Sequence, residues 1–377
     1  MYVRFVTLSI IIIFMEEEYK PVVAMVGLQL IYAGTALAAK AAFQEGMSPM
    51  VFVIYRQGIA ALALAPPTIL SSRRKRASQR TLGLKGFSLL FLTALIGVTI
   101  SQFLYYQGLE LSSASMATAI TNIVPAFTFL MAASVGLEKV NIRSPRSMAK
   151  VLGTVICVGG AISMAFFKGP KLMNAYSQST LISMLHLAGK NWKLGSLCLL
   201  TCSCCWSLWL ILQVPLCTNY VDPLSLSSWM CLLSFLQSAI LTYFLEPDFK
   251  AWKPNSGLQL LYCIYSGVAG SAVSFYLQSW CISRKGPLFS AMFSPLCTVI
   301  VTVIAVILFH ERLYFGSLVG AIAVAVGLYV VLWGKAKDFD DNSRIPLTVD
   351  ESSKTSEANL KQSLLDTKLQ QDESFAV

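Results

Sequence analysis

Long apolar stretches separated by short polar gaps set the pattern of this chain. Ten recur, at about residues 21–43, 49–70, 86–109, 112–136, 151–167, 194–213, 224–245, 257–282, 287–309 and 315–334. A helix needs roughly 20 residues to cross a hydrocarbon core, and most of these runs reach that length. Backbone polar groups in lipid must be satisfied within the chain, which leaves helices or closed barrels. These runs are too long for barrel strands. The pattern predicts an all-α, polytopic membrane protein with ten transmembrane helices.

The two ends depart from the pattern. The apolar part of the first fifteen residues, 5–14, is too short to span, and Glu16, Glu17 and Glu18 stand where a signal peptide would carry small residues. From about residue 336 the chain turns rich in Ser, Asp, Lys and Gln. This segment, 336–377, is expected to be a disordered cytosolic tail.

Composition agrees with a membrane protein. Apolar residues make up 55% of the chain and charged residues 13%, against about 25% charged in soluble proteins. The net charge of +10 does not suggest nucleic acid, because the charges fall in gaps between apolar runs rather than on one face. Those gaps are asymmetric. The N-terminus and the gaps after spans 2, 4, 6 and 8 hold fourteen Lys and Arg, and the other gaps hold seven. The positive-inside rule then places both termini in the cytosol. Nine of the ten cysteines lie in the apolar stretches and Cys217 lies just after one, which reads as reduced thiols. Cys202, Cys204 and Cys205 cluster, but no second spaced pair or His joins them, so no metal and no cofactor are expected.

The chain also repeats itself. Asn122-Ile123-Val124-Pro125 in the fourth span matches Phe293-Ser294-Pro295 in the ninth. Each run continues to a glutamate, Glu138 or Glu311, and Gly153 and Gly160 recur as Gly320 and Gly327. Gly46-Met47-Ser48-Pro49 resembles Tyr220-Val221-Asp222-Pro223. Two halves of five helices follow. Because five is odd, the second half starts on the opposite face. Inverted repeats with a site near the midplane are a transporter architecture. The organisation expected is an N-terminal cytosolic segment 1–20, a first repeat 21–170, a connecting loop 171–193, a second repeat 194–335 and the tail.

Several strings carry a family resemblance. They include Val53-Ile54-Tyr55-Arg56, Asn122…Pro125-Ala126-Phe127-Thr128-Phe129, Leu137-Glu138-Lys139-Val140 and Tyr276-Leu277-Gln278-Ser279-Trp280. Lys285-Gly286-Pro287, Phe293-Ser294-Pro295 and Leu332-Trp333-Gly334-Lys335 complete the set. In this order they resemble the plant nodulin-like, Walls-Are-Thin-related transporters, EamA-like members of the drug/metabolite transporter superfamily. The resemblance covers about residues 20–337. It implies two five-helix EamA-like repeats and transport of amino acids or auxin-like organic acids. A plasma-membrane location is expected first and a vacuolar one second. Residues 1–14 depart from the family pattern, which favours Met15 as the native start.

Charges inside spans are costly and usually functional. Arg56 in the second span and Lys40 near the end of the first form a candidate cationic site for a substrate carboxylate, which Arg can grip with two parallel hydrogen bonds. The alternatives are a structural contact from Arg56 to backbone carbonyls and snorkelling of Lys40 to the interface. With no Asp or Glu in mid-span, a facilitator is favoured over a proton-coupled carrier. Glu138 and Glu311 are expected to make helix-end contacts with Lys139 or Arg312. Pro125 and Pro295 remove backbone hydrogen bonds at matching places and are candidate kink or gating elements. Asn122 and Ser294 stand beside them as candidate cavity contacts. Tyr32, Tyr55, Tyr106, Gln107, Trp206, Trp209, Gln213, Tyr276 and Gln278 are further candidate contacts for an amphipathic solute, although any one could serve packing or the membrane interface. The glycines of the fifth and tenth spans, with Gly316 four before Gly320, are expected to allow close packing.

No Walker loop or catalytic constellation is present, and the two histidines, His186 and His310, lie near gaps. The expected partners are a small organic solute and the bilayer, and the expected class is a non-enzymatic carrier. A membrane receptor or scaffold is the alternative of another class.

Overall fold

The computed structural model describes residues 19–74, 83–112, 114–138, 145–166, 192–246, 252–254, 256–309 and 315–344. Among these residues it is all helical. Helices α1 (Lys20–Gln44), α2 (Pro49–Arg74), α3 (Leu84–Leu111), α4 (Ala114–Thr121 and Val124–Ser134) and α5 (Pro145–Phe166) form the first half. Helices α6 (Trp192–Asn219), α7 (Pro223–Leu245), α8 (Gly257–Lys285), α9 (Pro287–Met292 and Ser294–Phe309) and α10 (Phe315–Arg344) form the second. Eight are long and apolar enough to cross a membrane. The other two, α5 and α10, contribute the shorter apolar stretches Ser147–Ser163 and Val319–Gly334.

Large side chains face outward on most helices, among them Leu62, Leu130, Val155, Phe244 and Tyr329. In water such a surface would aggregate; in lipid it is the expected exterior. The tail begins later than the composition suggests. Helix α10 runs on through the polar residues after Gly334 to Arg344. Neither Gly nor Pro interrupts it there, and Pro346 biases the preceding residue away from helix. The disorder expected of the tail beyond 344, and the expectations for residues 1–18, lie outside the described residues.

The halves interlock by matched contacts. Helix α1 packs on α8, and its counterpart α6 packs on α3. Helix α2 packs on α7, α4 on α9 and α5 on α10. Each of these contacts is therefore its own counterpart or is paired with one, as a two-fold relation requires.

Two further matches were not anticipated. Both α3 and α8 contain a six-residue π-helical segment, Leu95–Ile100 and Val268–Val273. Each has glycine at its third position, and the first helix of the opposite half presses there. Trp209 of α6 lies against Gly97, and Thr35 of α1 lies against Gly270. A π-segment leaves carbonyls outside the usual ladder, and such segments occur often at functional sites. Here Ser101 donates to the Gly97 carbonyl and Ser274 to that of Ala269.

The α4 and α9 spans are broken rather than merely bent. In each, two amides bond to the third residue back: Ile123 to Ile120 and Ala126 to Ile123, then Phe293 to Ser290 and Leu296 to Phe293. Pro125 and Pro295 each occupy the second position of the following segment, where a missing N–H is tolerated. The tighter turn is the physical response to a ring that blocks the regular bond.

The α5–α10 contact rests on glycine. A Cβ at Gly327 would stand 2.5 Å from the Cys157 nitrogen, and one at Gly160 would stand 2.9 Å from the Gly320 oxygen. These neighbours are backbone and cannot rotate away. Gly327→Ala is expected to destabilise the protein by about 1–3 kcal/mol. Gly159→Ala, which meets nothing within 4 Å, should be neutral. Thermal unfolding of the two variants in detergent measures the difference. Equal midpoints would refute the packing argument.

Candidate functional site

Arg56 lies about two turns into α2 and is half-buried. Helix packing aims it across the interface between halves. Its Nε donates to Ser271 Oγ at 2.7 Å, and its Nη2 donates to the Gly270 carbonyl at 2.9 Å. Both acceptors belong to the α8 π-segment, so the contact to a backbone carbonyl named above is present. Among the described residues no carboxylate is within ion-pair distance of Arg56. Tyr32 stands one turn before Thr35, which packs against Gly270. The Tyr32 hydroxyl is buried and has no hydrogen-bond partner.

Around this point the aromatic groups of α3 form a wall. The Tyr106 ring meets Phe43 edge-on at 5.5 Å and Tyr105 at 5.4 Å. Asn122, at the break in α4, accepts from Thr298 of α9 at 3.0 Å. Its amide nitrogen is buried with no partner. The carbonyls bracketing that break are not all available to a solute. Ser203 of α6 donates to the Ile120 carbonyl and Ser207 to that of Val124, each at 3.2 Å.

A second polar group lies between α6 and α8. Gln213 is fully buried and accepts from Ser279 at 2.7 Å. Trp206 and Trp209 stack at 4.7 Å, and Trp209 also meets Phe275. Trp209 is fully enclosed among core side chains and against Gly97, which makes it a packing residue in this conformation. Gln278 is buried, with an unpartnered carbonyl oxygen. Gln107 and Ser294 are half-buried on α3 and α9.

Three candidates fall elsewhere. Lys40 is exposed about one turn from the end of α1, where its stem can snorkel, and it does not join Arg56. Tyr276 is 37% exposed and continues the outward stripe of Leu261, Ile264, Val268 and Val273 on α8. Tyr55 is tied to the connection between α7 and α8, donating to the Trp252 carbonyl at 3.0 Å. In each case the rotation of the helix about its axis, fixed by its neighbours, decides the outcome.

Sequence reasoning missed Gln102, Gln57, Ser271 and Thr298. The Gln102 carbonyl oxygen is buried without a partner, as are both amide atoms of Gln57. Gln102 was findable, since it lies one turn from Tyr105 and Tyr106 on the same face. Nothing in the sequence marks Ser271 out from its neighbours.

Glu138 pairs with Lys150 of α5 at 3.5 Å, with both side chains almost wholly buried. Lys139, Glu311, Arg312 and the two histidines lie outside the described residues. Among the described residues no group of three or more His, Cys, Asp or Glu could hold a metal ion.

Two interlocked five-helix halves in lipid, with a fixed cation and polar groups gathered between them, define a multi-pass membrane transporter. Comparison narrows this class. The model of the EamA-like transporter family matches the chain twice, over residues 20–166 and 193–333. The chain belongs to that family, and within it to the WAT1-related proteins. A WAT1-related protein of Arabidopsis thaliana is 47% identical over 356 residues, spanning 91% of this chain and 95% of that one. WALLS ARE THIN 1 of Arabidopsis thaliana is 37% identical over 332 residues, spanning 85% of each. A solved crystal structure superposes with a TM-score of 0.63 over 83% of this chain and 98% of its own, at 16% identity. At that identity the likeness carries the fold alone.

Proposed function

We propose that this transporter is a secondary carrier for small organic solutes bearing a carboxylate. An amino acid is the first choice, and auxin or another carboxylated metabolite the second. The observation that carries the reading is Arg56. It is a half-buried guanidinium at the junction of the halves with no carboxylate partner among the described residues. Two of its N–H groups are engaged by neutral acceptors, and the rest of the fork can grip an anion. The hydroxyl of Tyr32 and the amide nitrogen of Asn122 add buried donors without partners. The aromatic wall of Phe43, Tyr105 and Tyr106 suits the apolar part of such a solute.

Transport proceeds by alternating access, with the broken helices α4 and α9 bending at Pro125 and Pro295. The carrier works as a facilitator or exporter, because the spans described offer no mid-span carboxylate to relay protons. Both termini face the cytosol, and the plasma membrane is the favoured location, with the vacuolar membrane second. Efflux from proteoliposomes loaded with radiolabelled amino acids or indole-3-acetic acid, with and without a pH gradient, tests the reading. Saturable efflux that ignores the gradient is the expected result. Flux only with a gradient would overturn the facilitator. Flux of neither solute would remove both proposed substrates and favour a receptor.

A further inference from the structure

A guanidinium held inside a bundle keeps its full charge, since Arg does not lose its proton in proteins. Charges in membrane interiors therefore pair with one another or with carbonyl dipoles. Around Arg56 the dipoles are one carbonyl and one hydroxyl, from Gly270 and Ser271. Neither carries a negative charge, and no carboxylate among the described residues supplies one. Tyr32 stands one turn before Thr35, which packs against Gly270, the residue whose carbonyl Arg56 holds. The Tyr32 hydroxyl is neutral, buried without a partner and able to donate a hydrogen bond. A cation is repelled from such a place. A water molecule satisfies donors but leaves the charge.

We propose that the Arg56 site binds a small inorganic anion of the halide class, held by the guanidinium and the Tyr32 hydroxyl. The carboxylate of the organic solute displaces this anion. The inference shares the Arg56 site with the function proposed above, and it adds a second ligand and a competition. It makes the carrier's affinity for its solute depend on chloride, and it keeps the site electrically neutral before and after the exchange.

The test is thermal unfolding of the full chain in detergent, without organic solute, in chloride and in methanesulfonate at equal ionic strength. Methanesulfonate is neither a halide nor a carboxylate. The expected result is a midpoint that rises with chloride and saturates. Tyr32→Phe keeps both Arg56 contacts to α8 and should weaken the apparent chloride affinity about tenfold, the loss of one hydrogen bond to a charged group. Arg56→Gln should abolish the response. Should Arg56→Gln fail to fold, Tyr32→Phe decides. Equal responses to chloride and methanesulfonate, or a chloride response unchanged in Tyr32→Phe, would overturn the proposal.

A second arm separates the two readings. Competition of amino acids or indole-3-acetic acid against the chloride response tests the carboxylate substrate. A chloride response that no carboxylate displaces would leave the anion site standing and sink the proposed substrates. Carboxylate binding with no chloride response would do the reverse.

Discussion

Glu138→Gln should lower stability by about 3–5 kcal/mol, the usual cost of removing one partner of a buried ion pair. The chain leaves α4 through Gly136, whose φ of +78° turns it back so that the Leu137 and Glu138 amides both bond to the Ala132 carbonyl. That turn tucks the Glu138 carboxylate under α5, 3.5 Å from Lys150. With only 3% of the Lys150 side chain exposed, its ammonium cannot recover hydration once the carboxylate is gone. Thr154, one turn on, donates to the Lys150 carbonyl and contacts Met292 of α9, so strain at Lys150 spreads to the other half. The double variant Glu138→Gln with Lys150→Met should recover most of the loss, because both desolvated charges are then absent. A double-mutant cycle of thermal unfolding measures this. Single variants within about 1 kcal/mol of the parent, the scale of solvent-exposed ion pairs, would mean the pair is solvated in the working protein.

Arg56→Gln should reduce transport of a carboxylated solute by about 10- to 100-fold, the range for one charge-assisted hydrogen bond. Gln can still donate to Ser271 or Gly270, so the fold loses less than the site does. Arg56→Lys keeps the charge but replaces a planar fork by a point donor, and should fall between the two. A neutral ester of the solute separates causes. If Arg56 binds the carboxylate, the ester is a poor substrate of the parent and loses little further in Arg56→Gln. If Arg56 only braces the α8 π-segment, acid and ester suffer alike. Initial rates across solute concentrations read out the difference, and full activity of a folded Arg56→Gln would end the carboxylate reading.

Not every candidate was equally legible. Arg56 could be read from the chain because a charge within an apolar run has few explanations. Pro125 and Pro295 could be read because a proline acts on its own backbone wherever it stands. Tyr276 and Lys40 could not, since an apolar helix in lipid shows little contrast between its faces. The period that separates inside from outside in a soluble helix is weak here. Lys150, which pairs with Glu138, is twelve residues away across a turn, and the reversal at Gly136 brings it near.

Hydropathy alone determined the ten helices, because each apolar run must satisfy its backbone internally and most are long enough to cross. The internal matches determined the two halves, because the same proline and glycine constraints recur at the same intervals. The tertiary structure decided how far each helix is turned about its axis. It therefore decided which polar groups meet between the halves and which face lipid. It also decided the paired π-segments, where one extra residue per turn is accommodated by packing Gly97 against Trp209 and Gly270 against Thr35. Such contacts join residues far apart in the chain, and no local pattern encodes them.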